Sequence, residues 1–317
     1  MDCFAKGCKN GPVIELKYCG EPLCSKHFLK KTWKRIKRHT AQEDLISSGD
    51  RIAIGYSAGK DSTVLLHVLH ELFSKRKDIS IVAITVDEGI FGYRAHSLGL
   101  AKKTCKKLGI KHIVISARKE FGKPLDSVVR GIPRDSEGKG LTPCSYCGVI
   151  RRYLLNKAAQ REGCTKVATG HNLDDEAESV IMDFVRGDVQ KMVRLGAKVG
   201  VSRFKGFVQR VKPLRIIPER EVAVFAMLNG WEFDSAVCPY ASTALRETVR
   251  NAMNSIEDAH PGTKYSIVST ADRILPVLRK GFFRAEPRIC GNCGELSSRE
   301  TCRFCEYMSE GKPSRTR

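Results

Sequence analysis

The feature that most restricts the fold of this chain is an apolar run followed at once by a loop of small and polar residues. The run Arg51–Ser57 (RIAIGYS) predicts a buried strand, and the loop Ser57–Ser62 (SAGKDS) leads into a predicted helix that ends near Ser74. A strand, a Gly-containing turn and a helix N-terminus together direct free backbone N–H groups at an anion. Because Asp61 follows Lys60, the loop is not a Walker A loop, which needs Gly-Lys-Ser/Thr.

Predicted strands and helices alternate after this unit. The strands cover Ile79–Val86, Ile113–Ser116 and Lys166–Thr169, and the helices cover Arg94–Leu108, Cys144–Glu162 and Leu173–Val185. This alternation predicts an α/β fold with a doubly wound parallel sheet, which binds ligands at the carboxyl ends of its strands. Helices are also expected over residues 28–48, Val222–Leu228 and Ala244–Ile256, and the tail Lys312–Arg317 is expected to be disordered.

Ten of the thirteen cysteines fall into three groups with the spacing of metal ligands. In a reducing compartment this spacing indicates metal binding rather than disulfides. The terminal groups are Cys3, Cys8, Cys24 and His27, with Cys19 as an alternative ligand, and Cys290, Cys293, Cys302 and Cys305. Each set is complete with four ligands, so each predicts a structural zinc ion. We expect an N-terminal zinc module with a basic helix (1–48), a central domain with the third cysteine group (49–280) and a C-terminal zinc module with a tail (281–317).

The central group begins with Cys144 and Cys147, one turn apart at a predicted helix start, where a thiol pKa is expected to be lowered. Cys238, far along the chain, is the best third ligand. This spacing fits a redox dithiol, a zinc site or an iron–sulfur cluster with one open iron, and it does not rank them. Arg151 lies four residues after Cys147 and is expected on the same helical face.

A second motif, Gly170–Asp175 (GHNLDD), follows the last predicted strand and begins a helix. Asp174 and Asp175 would offset the helix dipole there, and they could equally present carboxylates to magnesium. In the first loop, Ala58 should have a negative φ, because alanine adopts a positive φ only at a cost.

Composition narrows the function classes further. The chain has 55 basic and 35 acidic residues and a net charge of +20, which favours a polyanionic partner such as nucleic acid. No apolar run approaches the roughly 18 residues of a membrane helix, and the N-terminus has no signal-peptide pattern. The expectation is a cytoplasmic protein with no membrane association.

Several motifs resemble those of one enzyme family. The loop SAGKDS resembles the SGGxDS loop of the PP-loop ATP pyrophosphatase superfamily, and GHNLDD resembles the GHNxDD segment of its tRNA-sulfurating members. Residues 143–153 (PCSYCGVIRRY) look like the PCxxCGxxRRY segment of the TtcA/TtuA family of tRNA thiolases, and Cys238-Pro239 matches the later cysteine of that family. The zinc modules at both ends are similar to the TtuA/NcsA branch, which makes 2-thiouridine in tRNA.

The resemblance implies a set of ligands and partners. ATP and Mg²⁺ would be bound by Ser57, Ala58, Gly59, Lys60, Asp61, Ser62, Asp87, Gly170, Asp174 and Asp175. A [4Fe-4S] cluster would be held by Cys144, Cys147 and Cys238, although one of these thiols could instead carry a persulfide. Related enzymes often have lysine at the position of Arg151. The family also implies tRNA as substrate, a ubiquitin-like sulfur carrier or free sulfide as donor, and a homodimer.

The implied reaction is adenylation of uridine O2 by ATP, followed by attack of sulfur at C2. Arg151 and Asp175 would act beside the three cysteines. Two alternatives remain at this point, which are a tRNA 2-thiocytidine synthetase and a non-catalytic zinc and RNA-binding protein. The motifs do not distinguish modification of uridine 34 from that of uridine 54.

Overall fold

A computed structural model describes residues 2–132, 142–199, 208–240, 245–282, 288–297 and 299–310. The strands are β1 (Ile14–Leu16), β2 (Glu21–Leu23), β3 (Arg51–Gly55), β4 (Ser80–Asp87), β5 (Lys111–Ser116), β6 (Lys166–Ala168), β7 (Lys198–Val199), β8 (Gln209–Val211), β9 (Arg288–Ile289) and β10 (Leu296–Ser297). The tail predicted to be disordered lies outside the described residues, as does Ala244.

Helices separate most of these strands. They are α1 (Ser25–Gln42), α2 (Lys60–Phe73), α3 (Ala95–Leu108), α4 (Ala117–Phe121), α5 (Leu125–Arg130), α6 (Pro143–Arg161), α7 (Leu173–Val185), α8 (Val189–Met192), α9 (Glu219–Leu228), α10 (Leu245–Ala259), α11 (Thr263–Phe282) and α12 (Arg303–Glu310). No helix in the described ranges is both long and apolar enough to cross a membrane.

The central sheet has the strand order β5-β4-β3-β6-β8-β7. Its first five strands are parallel, and only β7 at the edge is antiparallel. The chain first adds strands on one side of β3 and then returns to its other side with β6. Loops that leave the carboxyl ends of β3 and β6 are therefore neighbours at the topological switch point, where open α/β sheets bind ligands. The predicted doubly wound parallel sheet is confirmed.

Alternate residues of β3 face two apolar layers. Ile52 and Ile54 pack into a cluster with Phe28 of α1 and Phe225 of α9, so the N-terminal module shares the core on that face. Ala53 belongs to a second cluster on the other face, which is formed by α6 and the C-terminal module. The two terminal modules thus cover opposite faces of one sheet.

Candidate active site

The loop Ser57–Ser62 turns from β3 into α2, whose N-cap is Gly59. Its conformation is held by its own hydroxyls. The backbone N–H of Ser57 donates to Ser62 Oγ (3.2 Å), and that hydroxyl donates to the carbonyl of Gly59 (3.0 Å). The Oγ atoms of Ser57 and Ser62 are 3.1 Å apart. The result is a compact turn with two hydroxyls at the N-terminus of a helix, which is a site suited to an anion.

Ala58 has φ +60°, so the expectation of a negative φ at this position is wrong. The side chain is fully buried, and the carbonyl of Ala58 accepts a hydrogen bond from the backbone N–H of Asp234 (2.8 Å). Gly59 and Asp234 also form a parallel β-bridge. These tertiary contacts offset the roughly 1–2 kcal/mol that the left-handed conformation costs an L-residue.

The motif Gly170–Asp175 lies directly against this loop. A Cβ on Gly170 would be 2.9 Å from the carbonyl carbon of Asp61, so only glycine fits the close approach of the two backbones. Asn172 Nδ2 also donates to Asp61 Oδ1 (3.1 Å). The two motifs recognised in the sequence therefore form one structure at the carboxyl edge of the sheet.

The two aspartates of this motif have different surroundings. Both oxygens of Asp174 are engaged within the protein, one by the Lys264 ammonium and the other by the backbone N–H of Glu219 (2.7 Å). Asp175 completes a capping box with Asn172, and Arg246 Nη1 lies 3.1 Å from its Oδ1. Burial raises the pKa of Asp175 to about 6.

Lys60 and Asp87 also have protein partners. The Lys60 ammonium contacts Asp61 Oδ2 (3.0 Å) and Glu219 Oε1 (2.5 Å). Burial alone would lower the pKa of Lys60, but these carboxylates raise it and keep the amine charged. Asp87 Oδ1 accepts the backbone N–H of Gly89 (2.9 Å), as expected of a turn residue.

The central cysteines lie at the start of α6 and in the segment that follows α9. Cys144 Sγ donates to the carbonyl of Tyr240 (3.2 Å), and Arg151 Nη2 donates to Cys147 Sγ (3.4 Å). In the part of the chain that the structure describes, the two groups whose candidate ligand atoms all lie within 4.8 Å of one another are the terminal ones. Burial raises the pKa of both Cys144 and Cys147, so the expected lowering by the helix N-terminus is wrong for these thiols.

Arg151 is fixed by a carboxylate that the sequence analysis missed. Glu88 is completely buried at the end of β4. Its Oε1 accepts from Arg151 Nε (2.8 Å) and from Arg94 Nη2 (2.9 Å), and its Oε2 accepts from Arg94 Nε (2.8 Å). Burial opposes the charge of Glu88, but the two arginines lower its pKa. The only sequence signal for this role was an acidic residue directly after a buried strand.

The segment Asp234–Tyr240 connects the loop Ser57–Ser62 to the central cysteines. It begins at the hydrogen bond from Asp234 to Ala58, contains Cys238, and ends where the Tyr240 carbonyl accepts from Cys144. Seven residues of an extended chain span at most about 25 Å. The loop and the cysteines therefore lie at the two ends of one short segment, at most about 25 Å apart.

The acidic start of α7 is neutralised by basic residues from the second half of the chain. Lys212 and Arg215 bind Glu176, and Arg215 also binds Asp272 in a bidentate pair (both 2.7 Å). Further along α7, Arg246 and Arg250 bind Glu178. These partners lie more than 30 residues away, so spacing within α7 gave no sign of them.

The terminal groups bring four ligand atoms each within 4.8 Å of one another, as predicted. In the first group, His27 Nδ1 is 3.4 Å from Cys3 Sγ and 3.3 Å from Cys24 Sγ, and Cys8 and Cys24 are 3.8 Å apart. In the last group, Cys290–Cys305 and Cys293–Cys302 are 3.8 and 3.6 Å apart. Tetrahedral zinc with bonds of about 2.3 Å needs ligands about 3.8 Å apart, so both sets fit zinc. Cys24, the preferred ligand in the sequence, belongs to the first group, whereas Cys19 is exposed and lies outside it.

Comparison with known proteins agrees with this geometry. A family model for the PP-loop domain matches residues 29–256. The chain is 34% identical to the tRNA 2-thiolation protein NcsA of Haloferax volcanii, over 97% of this chain and 98% of that protein. It is 31% identical to the tRNA-5-methyluridine(54) 2-sulfurtransferase of Pyrococcus horikoshii, over 97% and 93% of the two chains.

A solved structure is similar over nearly the same length. It is the U34-tRNA thiolase NcsA from Methanococcus maripaludis with its [4Fe-4S] cluster, with a TM-score of 0.81 and 33% identity over 98% of this chain and 96% of that chain. The similarity over the full length and the contact between the loop Ser57–Ser62 and the motif Gly170–Asp175 both indicate the same family. The chain belongs to the PP-loop family, within the group of the tRNA 2-thiolation proteins.

Proposed function

We propose that the chain is an ATP-dependent tRNA sulfurtransferase that activates uridine at O2 and inserts sulfur at C2, giving 2-thiouridine. The observation that best supports this proposal is the segment Asp234–Tyr240, which contacts the loop Ser57–Ser62 at one end and Cys144 at the other. A nucleotide on the loop and sulfur at the cysteines would meet in one cleft. An enzyme that only cleaved ATP would have no need of thiols there.

ATP binding in this proposal uses the loop between β3 and α2. Backbone N–H groups from Ala58 to Ser62 and the hydroxyls of Ser57 and Ser62 would donate to phosphate oxygens. Lys60 adds charge, and Gly170 allows the second motif to approach. Asp175 is the carboxylate that we propose for Mg²⁺. Its Oδ1 contacts Arg246 Nη1 (3.1 Å) and its Oδ2 accepts the backbone N–H of Asn172 (3.2 Å), so the metal ion would replace one of these partners.

The chemistry requires activation because a carbonyl oxygen is a poor leaving group. Uridine O2 attacks the α-phosphorus of ATP, and pyrophosphate leaves with the electrons of the broken P–O bond. Sulfide then adds to C2, the C2–O2 bond breaks, and AMP leaves. No net oxidation or reduction occurs. The target base must leave its stack to reach the cleft, and the Arg151 guanidinium stabilises negative charge there without serving as a base.

We propose a [4Fe-4S] cluster on Cys144, Cys147 and Cys238, because the similar U34-tRNA thiolase NcsA from Methanococcus maripaludis contains such a cluster. Cysteine thiolates are the usual protein ligands of these clusters. With three protein thiolates, such a cluster supplies one open iron as a soft binding position for sulfide. Arg151 beside Cys147 balances the negative charge of the thiolates.

The remaining cofactors and partners belong to the same proposal. Two zinc ions would stabilise the terminal modules. A tRNA substrate is supported by the net charge of +20 and by the exposed face of α1, which presents Lys26, Lys30, Lys34, Lys37 and Arg38. We further propose a ubiquitin-like sulfur carrier or free sulfide as donor, a homodimer and a cytoplasmic location.

Anaerobic reconstitution tests the function directly. The protein purified without oxygen is expected to convert ATP to AMP only when unmodified tRNA is present, and to place sulfide sulfur in 2-thiouridine, as measured by nucleoside mass spectrometry. Cys144→Ala should lose sulfur insertion while it still binds ATP, because Cys144 does not contact the nucleotide loop. Thiocytidine as the product, or full activity in Cys144→Ala, would contradict the proposal.

The modified position is resolved in the same experiment. Mapping the thiolated nucleoside by nuclease digestion separates uridine 34 from uridine 54. A protein that binds tRNA but forms no AMP under any condition would instead be a non-catalytic RNA-binding protein.

A further inference from the structure

A short loop between β4 and α3 holds one side chain far out of the protein. This loop, Gly89–Tyr93, leaves the carboxyl edge of the sheet. Ile90 is buried within it, whereas Phe91 has 94% of its surface exposed, the largest value among the large apolar side chains of the described ranges. The contrast between two adjacent apolar residues shows that the loop presents Phe91 selectively.

The backbone on both sides of Phe91 is fixed. Gly89 has φ +75° and Gly92 has φ +70°, which are conformations that favour glycine. A Cβ on Gly89 would be 2.7 Å from the side chain of Pro124, so the loop packs closely against the start of α5. The backbone N–H of Phe91 donates to Asp126 Oδ2 (2.8 Å). The ring is therefore held in solvent by an ordered loop.

The loop is connected to the cysteine site through two routes. The other oxygen of Asp126 accepts from Tyr240 Oη (2.8 Å), and the Tyr240 carbonyl accepts from Cys144. By the second route, Phe91 lies three residues after Glu88, which binds Arg151, so their Cα atoms are at most about 11 Å apart. Phe91 thus stands at the rim of the proposed cleft.

An exposed aromatic ring at this rim suits a nucleobase. A base can reach the cleft only after it leaves its stack, which exposes the face of its neighbour. Aromatic side chains stack on such bases and contribute about 1–3 kcal/mol for each base. The basic charge of the chain and the nearby Arg151 favour RNA over a protein surface as the occupant.

We propose that Phe91 stacks on a base of the bound RNA beside the base that enters the cleft. This inference rests on the proposed tRNA substrate, but it concerns binding and does not depend on turnover. It assigns Phe91 a positioning role, since the residue would touch a neighbouring base and not the reacting atoms.

Affinity measurements on full-length variants test the proposal. Phe91→Ala and Phe91→Leu are expected to weaken binding of a tRNA transcript about tenfold, because one stacked base contributes more than 1 kcal/mol. Phe91→Tyr should bind like the parent protein. The slope of log affinity against log salt should stay unchanged, since stacking releases no counterions. ATP affinity should also stay unchanged.

Phe184→Ala is the matched control. Phe184 is also exposed (59%) and lies at the end of α7 away from the cleft, so this variant should bind tRNA normally. Equal loss in Phe184→Ala and Phe91→Ala, or normal binding by Phe91→Leu, would overturn the stacking proposal. If Phe91→Ala bound tRNA normally and lost only sulfur transfer from a carrier protein, the surface would belong to a protein partner and the proposal would be wrong.

A spectroscopic variant tests the contact directly. Phe91→Trp adds an indole to the two native tryptophans, and its extra fluorescence should be quenched by tRNA but not by heparin, a polyanion without bases. Equal responses to the two polyanions, or none to tRNA, would disprove stacking. Quenching by tRNA together with a failure to form 2-thiouridine would instead retain this inference and reject the proposed reaction.

Discussion

At the scale of single residues, Ala58 shows how the nucleotide loop is stabilised from outside. Its φ of +60° is unfavourable for alanine, and its carbonyl is held by Asp234 from a distant part of the chain. Glycine would relieve about 1–2 kcal/mol of strain at this position. The same change would remove a buried methyl group, worth about 0.8 kcal/mol, and add about 0.5–1 kcal/mol of chain entropy in the unfolded state.

These opposing contributions nearly cancel, so we expect Ala58→Gly to change the free energy of unfolding by less than about 1 kcal/mol. The control is Ala101→Gly in α3, which is also fully buried but helical. It loses the methyl group and helix propensity and should cost about 2 kcal/mol. Urea unfolding measures both values, and equal losses in the two variants would show that Ala58 is not strained.

Arg151 supports a second prediction, about catalysis. Its guanidinium contacts Glu88 through Nε and Cys147 through Nη2 at once, and a lysine has only one nitrogen for both partners. Arg151→Lys should therefore lose one charge-assisted hydrogen bond and lower kcat for thiolation by about tenfold. ATP affinity should stay unchanged.

Arg161→Lys provides the matched control for that experiment. Arg161 is at the other end of α6, where it pairs with Glu120 on the surface. Anaerobic kinetics of both variants should show a loss for Arg151→Lys alone. A full rate in Arg151→Lys would mean that charge at this position suffices and that the double contact has no catalytic role.

At the scale of elements, α2 contacts the segment after α9 through two stacked aromatic rings. The rings of His67 and Trp231 are 4.3 Å apart and nearly parallel, at 5°. Burial lowers the pKa of His67 to about 4. Because the folded pKa lies below the ordinary value of about 6.5, the neutral ring stabilises the fold above pH 6.5. This stability is lost as the pH falls from 6.5 towards 4.

From this shift we expect the parent protein to lose about 1.2 kcal/mol more than His67→Phe between pH 7 and pH 5.5. Phenylalanine keeps a flat ring against Trp231 but cannot be protonated. Urea unfolding at the two pH values measures the difference, with a substitution of the exposed His260, His260→Gln, as a control away from the stacked pair. Identical pH dependence of His67→Phe and the parent would contradict this prediction.

The elements that sequence reasoning predicted are those with strong local signals. The strand β3, the loop after it and the helices α2, α6 and α7 follow from apolar periodicity and turn residues. In contrast, the 20-residue helix α11 was missed, and Pro276 within it resembles a helix stop. The short strands β7 to β10 have two or three residues each, which is too few to show an alternation of apolar and polar residues. Glu88 and the partners of α7 depend on contacts between distant residues, which no local pattern contains.

At the scale of the whole molecule, the terminal modules support different parts of the protein. Cys3 and Cys24 belong to the same apolar cluster as Phe28 and the sheet. The C-terminal module instead packs on α6, where the ring of Phe304 stacks on Tyr153 (3.8 Å) and Tyr307 lies 4.2 Å from Tyr146. Since α6 also carries Cys144 and Cys147, the C-terminal module supports the helix on which these two cysteines lie.

If each terminal group holds zinc as proposed, loss of the two sites should have different effects. Cys24→Ser and Cys302→Ser are each expected to bind one zinc ion instead of two and to lose several kcal/mol of stability. Only Cys302→Ser should also retain less iron, because α6 loses its outer support. Zinc and iron analysis of anaerobic protein, with thermal unfolding, measures these effects. Equal iron content in the two variants would refute a link between the C-terminal module and the cysteine site.

The segment Asp234–Tyr240 has a consequence for thermodynamic linkage. One end is hydrogen-bonded to the loop Ser57–Ser62 and the other to Cys144. A ligand that shifts the loop is therefore expected to shift the backbone that contacts the Cys144 sulfur. If nucleotide binding changes the affinity of the cysteines for their ligand by some factor, the ligand at the cysteines must change the affinity for nucleotide by the same factor. Activation and sulfur delivery in this chain would then be coupled as an equilibrium property of the fold, before any substrate RNA arrives.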